Sequence, residues 1–143
     1  MYVKQLSIFV QNTKGRLADI TETLAKAGVD IRAISVADTR DFGILRLIVD
    51  KPTVAVETLK KANMTVSLTK VIGVGISDKP GEFAKVLRVL SDQDIQVEYM
   101  YAFISRDKGK AFVILRVDDA ELALSIIQKS NIHILTEDEI ANM

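Results

Sequence analysis

The sequence predicts an α+β chain made of two copies of one β-α-β-β-α-β unit, each an antiparallel four-stranded sheet carrying both helices on one face. Three observations predict it: the chain repeats internally, its apolar residues alternate with period two in some segments and recur at helical spacing in others, and both copies hold these segments in the same order. At an offset of 66 residues, Gly15 falls on Gly81, Ala18 on Ala84, Arg40 on Arg106 and Asp41 on Asp107. At 68, Leu47 falls on Leu115, Val49 on Val117, Asp50 on Asp118, Ala55 on Ala123, Lys61 on Lys129 and Asn63 on Asn131. The copies are expected at residues 1–69 and 70–143.

Leu6, Ile8 and Val10 alternate with Ser7, Phe9 and Gln11, the signature of a half-buried strand. After Asn12-Thr13-Lys14-Gly15 the period changes: Leu17, Ile20 and Leu24 mark a helix that Gly28 terminates. Val29–Val36 and Ile44–Val49 are rich in β-branched residues and flank Asp38–Gly43, which reads as a hairpin. Pro52 suits the first turn of a second helix, with the stripe Val54, Ala55, Thr58, Leu59 and Ala62, and Met64–Leu68 closes the unit as a strand. The second copy reads as strand Val71–Ile76, helix Glu82–Ser91, strands near Ile95–Ser105 and Lys110–Val117, helix Ala120–Ser130 with the stripe Leu122, Ala123, Ile126, Ile127 and Ser130, and strand Ile132–Leu135. Asp118 and Glu121 resemble a capping box. This order gives the ferredoxin-like layout. The sheet face away from the helices is expected to be uncovered, with Gly73, Gly75 and Ser77 leaving room there for a partner to approach closely. Met64–Leu68 runs almost directly into Val71–Ile76, so no flexible linker separates the copies.

Composition narrows the function. The 143 residues include no Cys and one His, His133, which removes thiolate nucleophiles, Fe–S clusters and multi-histidine metal sites; no metal or cofactor is expected. The net charge is zero, with residues 1–69 at +3 and 70–143 at −3, so no electrostatic pull towards nucleic acid or an anionic membrane is expected. The first residues lack the apolar stretch of an export signal, and the longest apolar runs, such as Ala111–Leu115, are far too short to span a bilayer; a cytoplasmic protein is expected.

Asp78-Lys79-Pro80-Gly81-Glu82-Phe83 lies between the first strand and first helix of copy two. Pro-Gly makes a tight turn, and the N–H groups opening the next helix can hold a carboxylate while Asp78 accepts an ammonium. Together they suit the two charged ends of a free amino acid. Copy one keeps the glycine but has Asn12 and Lys14 in place of the aspartate and proline, so copy two is the stronger candidate. The same residues equally suit a purely structural turn with Asp78 capping the helix.

Two such units, the turn glycines, Asp-x-Pro-Gly in one copy, and Gly28-Val29-Asp30-Ile31-Arg32-Ala33-Ile34-Ser35 leading out of the first helix resemble tandem ACT domains over essentially the whole chain. The resemblance implies a regulatory module that binds amino acids between ACT units and controls enzymes of amino-acid metabolism. Carried over residue by residue, it implies Asn12, Lys14, Gly15, Arg16 and Leu17 in copy one, and Asp78, Lys79, Pro80, Gly81, Glu82 and Phe83 in copy two. At the second-strand starts it implies Asp30, Ile31, Gln96 and Val97, contributed to a ligand by a neighbouring unit.

An RNA-recognition motif shares this element order, but its two half-signatures, Ile8–Asn12 and Lys108–Val113, fall in different copies, and Gly75 and Lys110 stand where stacking aromatics are needed. Tyr99, Tyr101 and Phe103 suit core packing or a subunit interface, His133 is assigned no role, and Thr136–Glu139 reads as a solvated acidic tail or a short helical turn. No nucleophile–base–orienter set is visible. The expected protein is a non-catalytic, homodimeric amino-acid sensor with a metabolic enzyme as possible target. The alternative is a regulatory subunit that acts by protein contact without a ligand.

Overall fold

Strand and helix periods resolve into the predicted order, except that the strands expected at Met64–Leu68 and Val71–Ile76 join into one, in a computed structural model that describes residues 1–38, 41–103 and 107–143. Thr39 and Arg40 of the first hairpin turn, and Ile104, Ser105 and Arg106 at the second, lie outside the described residues. The elements are β1 (Val3–Gln11), α1 (Arg16–Lys26), β2 (Ile31–Asp38), β3 (Phe42–Val49), α2 (Pro52–Lys61), β4 (Val66–Ser77), α3 (Glu82–Ser91), β5 (Val97–Ala102), β6 (Lys110–Val117), α4 (Ala120–Lys129), β7 (His133–Ile134) and α5 (Glu137–Ala141). They form two compact units. The first holds Lys4–Thr69 with Ile140–Asn142, the second Met1–Val3, Lys70–Glu139 and Met143.

In the first unit β1 lies between β3 and β4, and β2 flanks β3. Leu6 faces Leu47 and Gln11 faces Phe42 across the β1–β3 pair. In the second unit the corresponding order is β5-β6-β4-β7, with Ile72 opposite Leu115 and Ser77 opposite Lys110. The repeat extends to irregularities: the register shift between Ile31 and Ala33 recurs between Val97 and Tyr99. Helix ends repeat too, with left-handed backbone at Gly28 and Asp94 after α1 and α3, and at Asn63 and Asn131 after α2 and α4.

Each core lies between the helices and one sheet face. The first includes Leu6, Ile8, Ile20, Leu24, Leu47 and Leu59, the second Ile72, Val74, Leu90, Val113, Leu115 and Ile127. The second-helix stripes are narrower than the sequence predicts: Ala55 and Leu59, and Ala123 and Ile127, are fully buried, whereas Val54 and Leu122 are exposed. An i, i+4 pair is enough to face the sheet, and the residue before it points to solvent. The α4 cap is also displaced by one residue. Asp119, not Asp118, accepts from the Leu122 N–H (3.1 Å), because the Asp118 carboxylate is taken by the N–H groups of Gln96 (3.1 Å) and Asp119 (2.9 Å).

The space beside the second unit's glycines is taken by neighbouring side chains, while Ser77 stays exposed. A side chain at Gly73 would meet Leu135 Cβ at 3.1 Å and Val3 Cγ2 at 3.5 Å, and one at Gly75 would meet His133 and Phe112 at 3.2 Å. These glycines admit the chain's own residues, and the Leu135 N–H donates to the Gly73 carbonyl (2.8 Å). Phe103 packs edge-on to Phe112 at 6.3 Å and is buried, while Tyr99 and Tyr101 stack at 6.5 Å and are half-buried.

The acidic segment near residue 137 is a helix with Ile140 buried. Thr136 Oγ1 accepts from the Glu139 N–H (3.1 Å) and Glu139 Oε2 from the Thr136 N–H (2.8 Å), a reciprocal cap. Glu139 Oε1 lies 2.9 Å from His133 Nε2, so that histidine has a carboxylate partner which its sequence surroundings did not signal. The Thr136 N–H, helped by His133 and opposed by partial burial, holds the Glu139 carboxyl below its ordinary pKa. Within the first unit, Arg32 Nε and Nη2 donate to the carbonyls of Ile140 (3.1 Å) and Ala141 (3.0 Å), while Nη1 pairs with Asp30.

Candidate functional site

Both strand-to-helix turns have one construction. The Thr13 N–H donates to the Gln11 carbonyl (2.8 Å) and the Arg16 N–H to the Thr13 carbonyl (3.3 Å); Lys79 and Glu82 repeat this at 3.0 and 3.3 Å. Gly15 and Gly81 then precede the helices at φ 81° and 90°, left-handed backbone that disfavours any other residue. A side chain at either glycine would meet nothing within 4 Å, so conformation and not space demands glycine. Neither helix start has a side-chain cap, and Asp78 therefore does not cap α3. The opening N–H groups of both helices lack intrahelical acceptors and present the positive end of the dipole.

What lies beside the turns differs. In the first unit a cleft of about 90 Å³ opens between the turn, the start of α1 and the ends of β2 and β3. Val10, Leu17, Val36 and Leu45 form its apolar side, and Gly43 lies between β2 and Asn12. Gln11, Asn12, Thr13 and Arg16 form its polar side. Asn12 Nδ2 donates to Asp38 Oδ1 (2.8 Å), and Asn12 Oδ1 faces Gly43, 3.4 Å from where a side chain would begin. In the second unit a depression against α3 has a wholly apolar lining that includes Phe83, Leu87 and Met100, and essentially no free volume; of its lining only Ile76, Phe83 and Val113 are equivalent to residues of the first cleft.

The residues equivalent to the first cleft's lining differ in chemistry in the second unit. Glu82 stands where Arg16 does, Phe83 where Leu17 does, and Ala111 where Gly43 does. Glu82 Oε1 pairs with Lys85 Nζ at 2.8 Å, so the α3 start carries an ion pair where α1 begins with an arginine.

Of the residues the sequence singled out, Asn12, Arg16 and Leu17 meet around the first cleft and Phe83 lines the second. Lys14 and Gly15 form the first turn without lining the cleft; Asp78, Lys79, Pro80, Gly81 and Glu82 likewise do not line the second depression. Asp30 and Ile31, and Gln96 and Val97, sit elsewhere. Val36 pairs with Leu45 beside the cleft but Ile31 pairs with Val49, so the start of β2 lies roughly 20 Å from its cleft end at a strand rise of about 3.3 Å per residue. The Asp30 N–H is bound by Asp50 Oδ1 (2.8 Å), as the Gln96 N–H is by Asp118. Thr13, Val36, Gly43 and Leu45 escaped the sequence reading. Gly43 was legible, because a glycine inside a strand signals a close approach.

Among the described residues no helix is long and apolar enough to cross a membrane, and no group of three or more metal-ligating side chains occurs.

A family model described as an ACT domain pair matches residues 1–143. Among solved structures, protein BT0572 from Bacteroides thetaiotaomicron is 35% identical, with TM-score 0.93 over 100% of this chain and 98% of that one. The ligand-free regulatory subunit of aspartate kinase from Thermus thermophilus is 18% identical, with TM-score 0.63 over 90% of this chain and 92% of that one. The corresponding subunit from Thermus flavus is 17% identical, with TM-score 0.58 over 89% and 91%. The two Thermus proteins share the fold. A comparison with curated proteins found no match.

Proposed function

The chain belongs to the ACT-domain family as an ACT domain pair, and we propose that it is a non-catalytic, cytoplasmic sensor that binds a free amino acid and regulates amino-acid metabolism. The observation that carries this reading is the cleft beside the Asn12–Leu17 turn, whose lining combines Arg16 at the start of α1 with the apolar Val10, Leu17, Val36 and Leu45. The first turn is therefore put forward ahead of the Asp78–Phe83 turn as the binding site.

Asp30 and Ile31 lie at the far end of β2 from their own unit's cleft, so a role for them in a site requires the turn of another ACT unit. A homodimer in which one copy's β2 start approaches the other's turn meets that requirement. A ligand held there would favour whichever arrangement of units binds it more tightly, and a partner enzyme of amino-acid metabolism would respond to that arrangement. The fold shared with regulatory subunits of aspartate kinase supports an enzyme of this kind as the target.

Calorimetric titration of the full chain with each of the twenty amino acids tests the reading. Heat of binding from at least one is expected, and silence from all twenty would overturn it.

A further inference from the structure

We propose that residues 136–141 form a latch on the first unit whose hold is set by the Asp30 carboxylate, so that an ammonium drawing Asp30 away loosens the C-terminal helix. The proposal rests on the reading that Asp30 meets an amino-acid ligand beside the turn of another ACT unit, and adds where in the chain such binding is felt.

The helix α5 cannot hold its own shape. It spans five residues and buries one side chain, Ile140. An isolated helix shorter than roughly 12–15 residues is marginal in water, so the order of α5 comes from what grips its two ends. At the start, Thr136 and Glu139 exchange hydrogen bonds and Glu139 reaches His133. At the end, the carbonyls of Ile140 and Ala141 carry the negative pole of the helix. Arg32 Nε and Nη2 donate to them at 3.1 and 3.0 Å.

Arg32 is also where the latch meets Asp30. Its side chain is 15% exposed, and Nη1 pairs with the Asp30 carboxylate, which is 60% exposed. Of the three groups this guanidinium binds, two are neutral carbonyls, and Asp30 supplies the compensating charge. The Asp30 backbone is fixed separately: its N–H donates to Asp50 Oδ1 (2.8 Å) and its carbonyl accepts from the Asp50 N–H (3.1 Å). The carboxylate can therefore turn outward while the strand keeps its register. An ammonium that captures it leaves a mostly buried guanidinium against neutral acceptors, which is costly, and Arg32 regains water by letting go of the helix carbonyls.

The second unit is wired differently. Glu98 stands in the place of Arg32 and pairs with Arg116 at 3.7 Å, and a carboxylate cannot donate to helix carbonyls.

Hydrogen exchange on the full chain tests the latch, read at the peptide covering residues 136–143 with the α2 peptide as reference. Asp30→Asn removes the charge at nearly constant shape, and Arg32→Lys keeps the charge but loses the fork that spans two carbonyls. Each is expected to speed exchange at 136–143 about tenfold with α2 unchanged. A mixture of the twenty amino acids should likewise speed it in the unsubstituted chain and leave the Asp30→Asn chain as it was. Unaltered exchange at 136–143 with either substitution, or an equal gain across α2, would overturn the latch. Heat of amino-acid binding in calorimetry without faster exchange at 136–143 would overturn the link to Asp30 and leave amino-acid sensing standing; silence in calorimetry would overturn both.

Discussion

The two halves of this chain share a fold, a turn construction and even the position of a register shift, yet the side chains around their turns differ. Three equivalent positions carry the contrast. Arg16, Leu17 and Gly43 in the first unit stand against Glu82, Phe83 and Ala111 in the second. None of them disturbs a backbone hydrogen bond, since both turns close with the same bonds at similar lengths. After a duplication, the scaffold and the site can therefore diverge separately: turn glycines and core leucines preserve the frame, while a few side chains at its edge decide whether there is space and which charge faces it.

The comparison breaks most readily at the cores. Leu24 and Leu90 occupy equivalent positions and both are fully buried. Leu24→Ala and Leu90→Ala are each expected to cost about 3–5 kcal/mol, read as the shift in urea midpoint at constant slope. Markedly unequal losses would show that the units do not contribute alike. Next in size are the turns: Gly15→Ala and Gly81→Ala should each cost about 1–2 kcal/mol in the same assay, from backbone strain alone. A change near zero at both would mean that the left-handed turn is not what fixes these helices.

A finer test addresses the clefts. Gly43→Ala copies the second unit into the first and should weaken amino-acid binding about tenfold, the scale of one misplaced methyl group in a fitted pocket, with little loss of stability because this backbone suits alanine. Unaltered affinity would detach the ligand from the cleft floor. The smallest effect concerns Glu139. Its pKa is lowered in the folded state, so the stability it contributes is present above the ordinary carboxylate range and disappears as pH falls through the folded value. Glu139→Gln should therefore slightly flatten the loss of stability below about pH 4 in thermal melts; an unchanged acid limb would show the pair to be inert.

Much of the frame was legible because it rests on periodicity. The helix over Glu82–Ser91 and the strand over Lys110–Val117 are where the apolar spacing puts them, and the repeat carries the architecture from one half to the other. The cleft was harder to read. The Asp-x-Pro-Gly sequence drew attention to the second turn, but a short motif describes how a chain turns and not whether space remains next to it. That space depends on Val36 and Gly43, which arrive from β2 and β3 and are separated in sequence from the turn. The Gly73 and Gly75 face illustrates the same limit. Small residues announced a close approach correctly, but their visitors were the chain's own Leu135, Val3, His133 and Phe112.

The exchange of chain ends between the units has a consequence for the order in which the protein comes into being. Residues 4–69 leave the ribosome first and carry a complete sheet and helix pair, but Ile140 and Ala141, whose carbonyls Arg32 binds, emerge only after the whole second copy has been translated. The hydrogen bonds from Arg32 to these carbonyls therefore cannot close until the second copy has been synthesised.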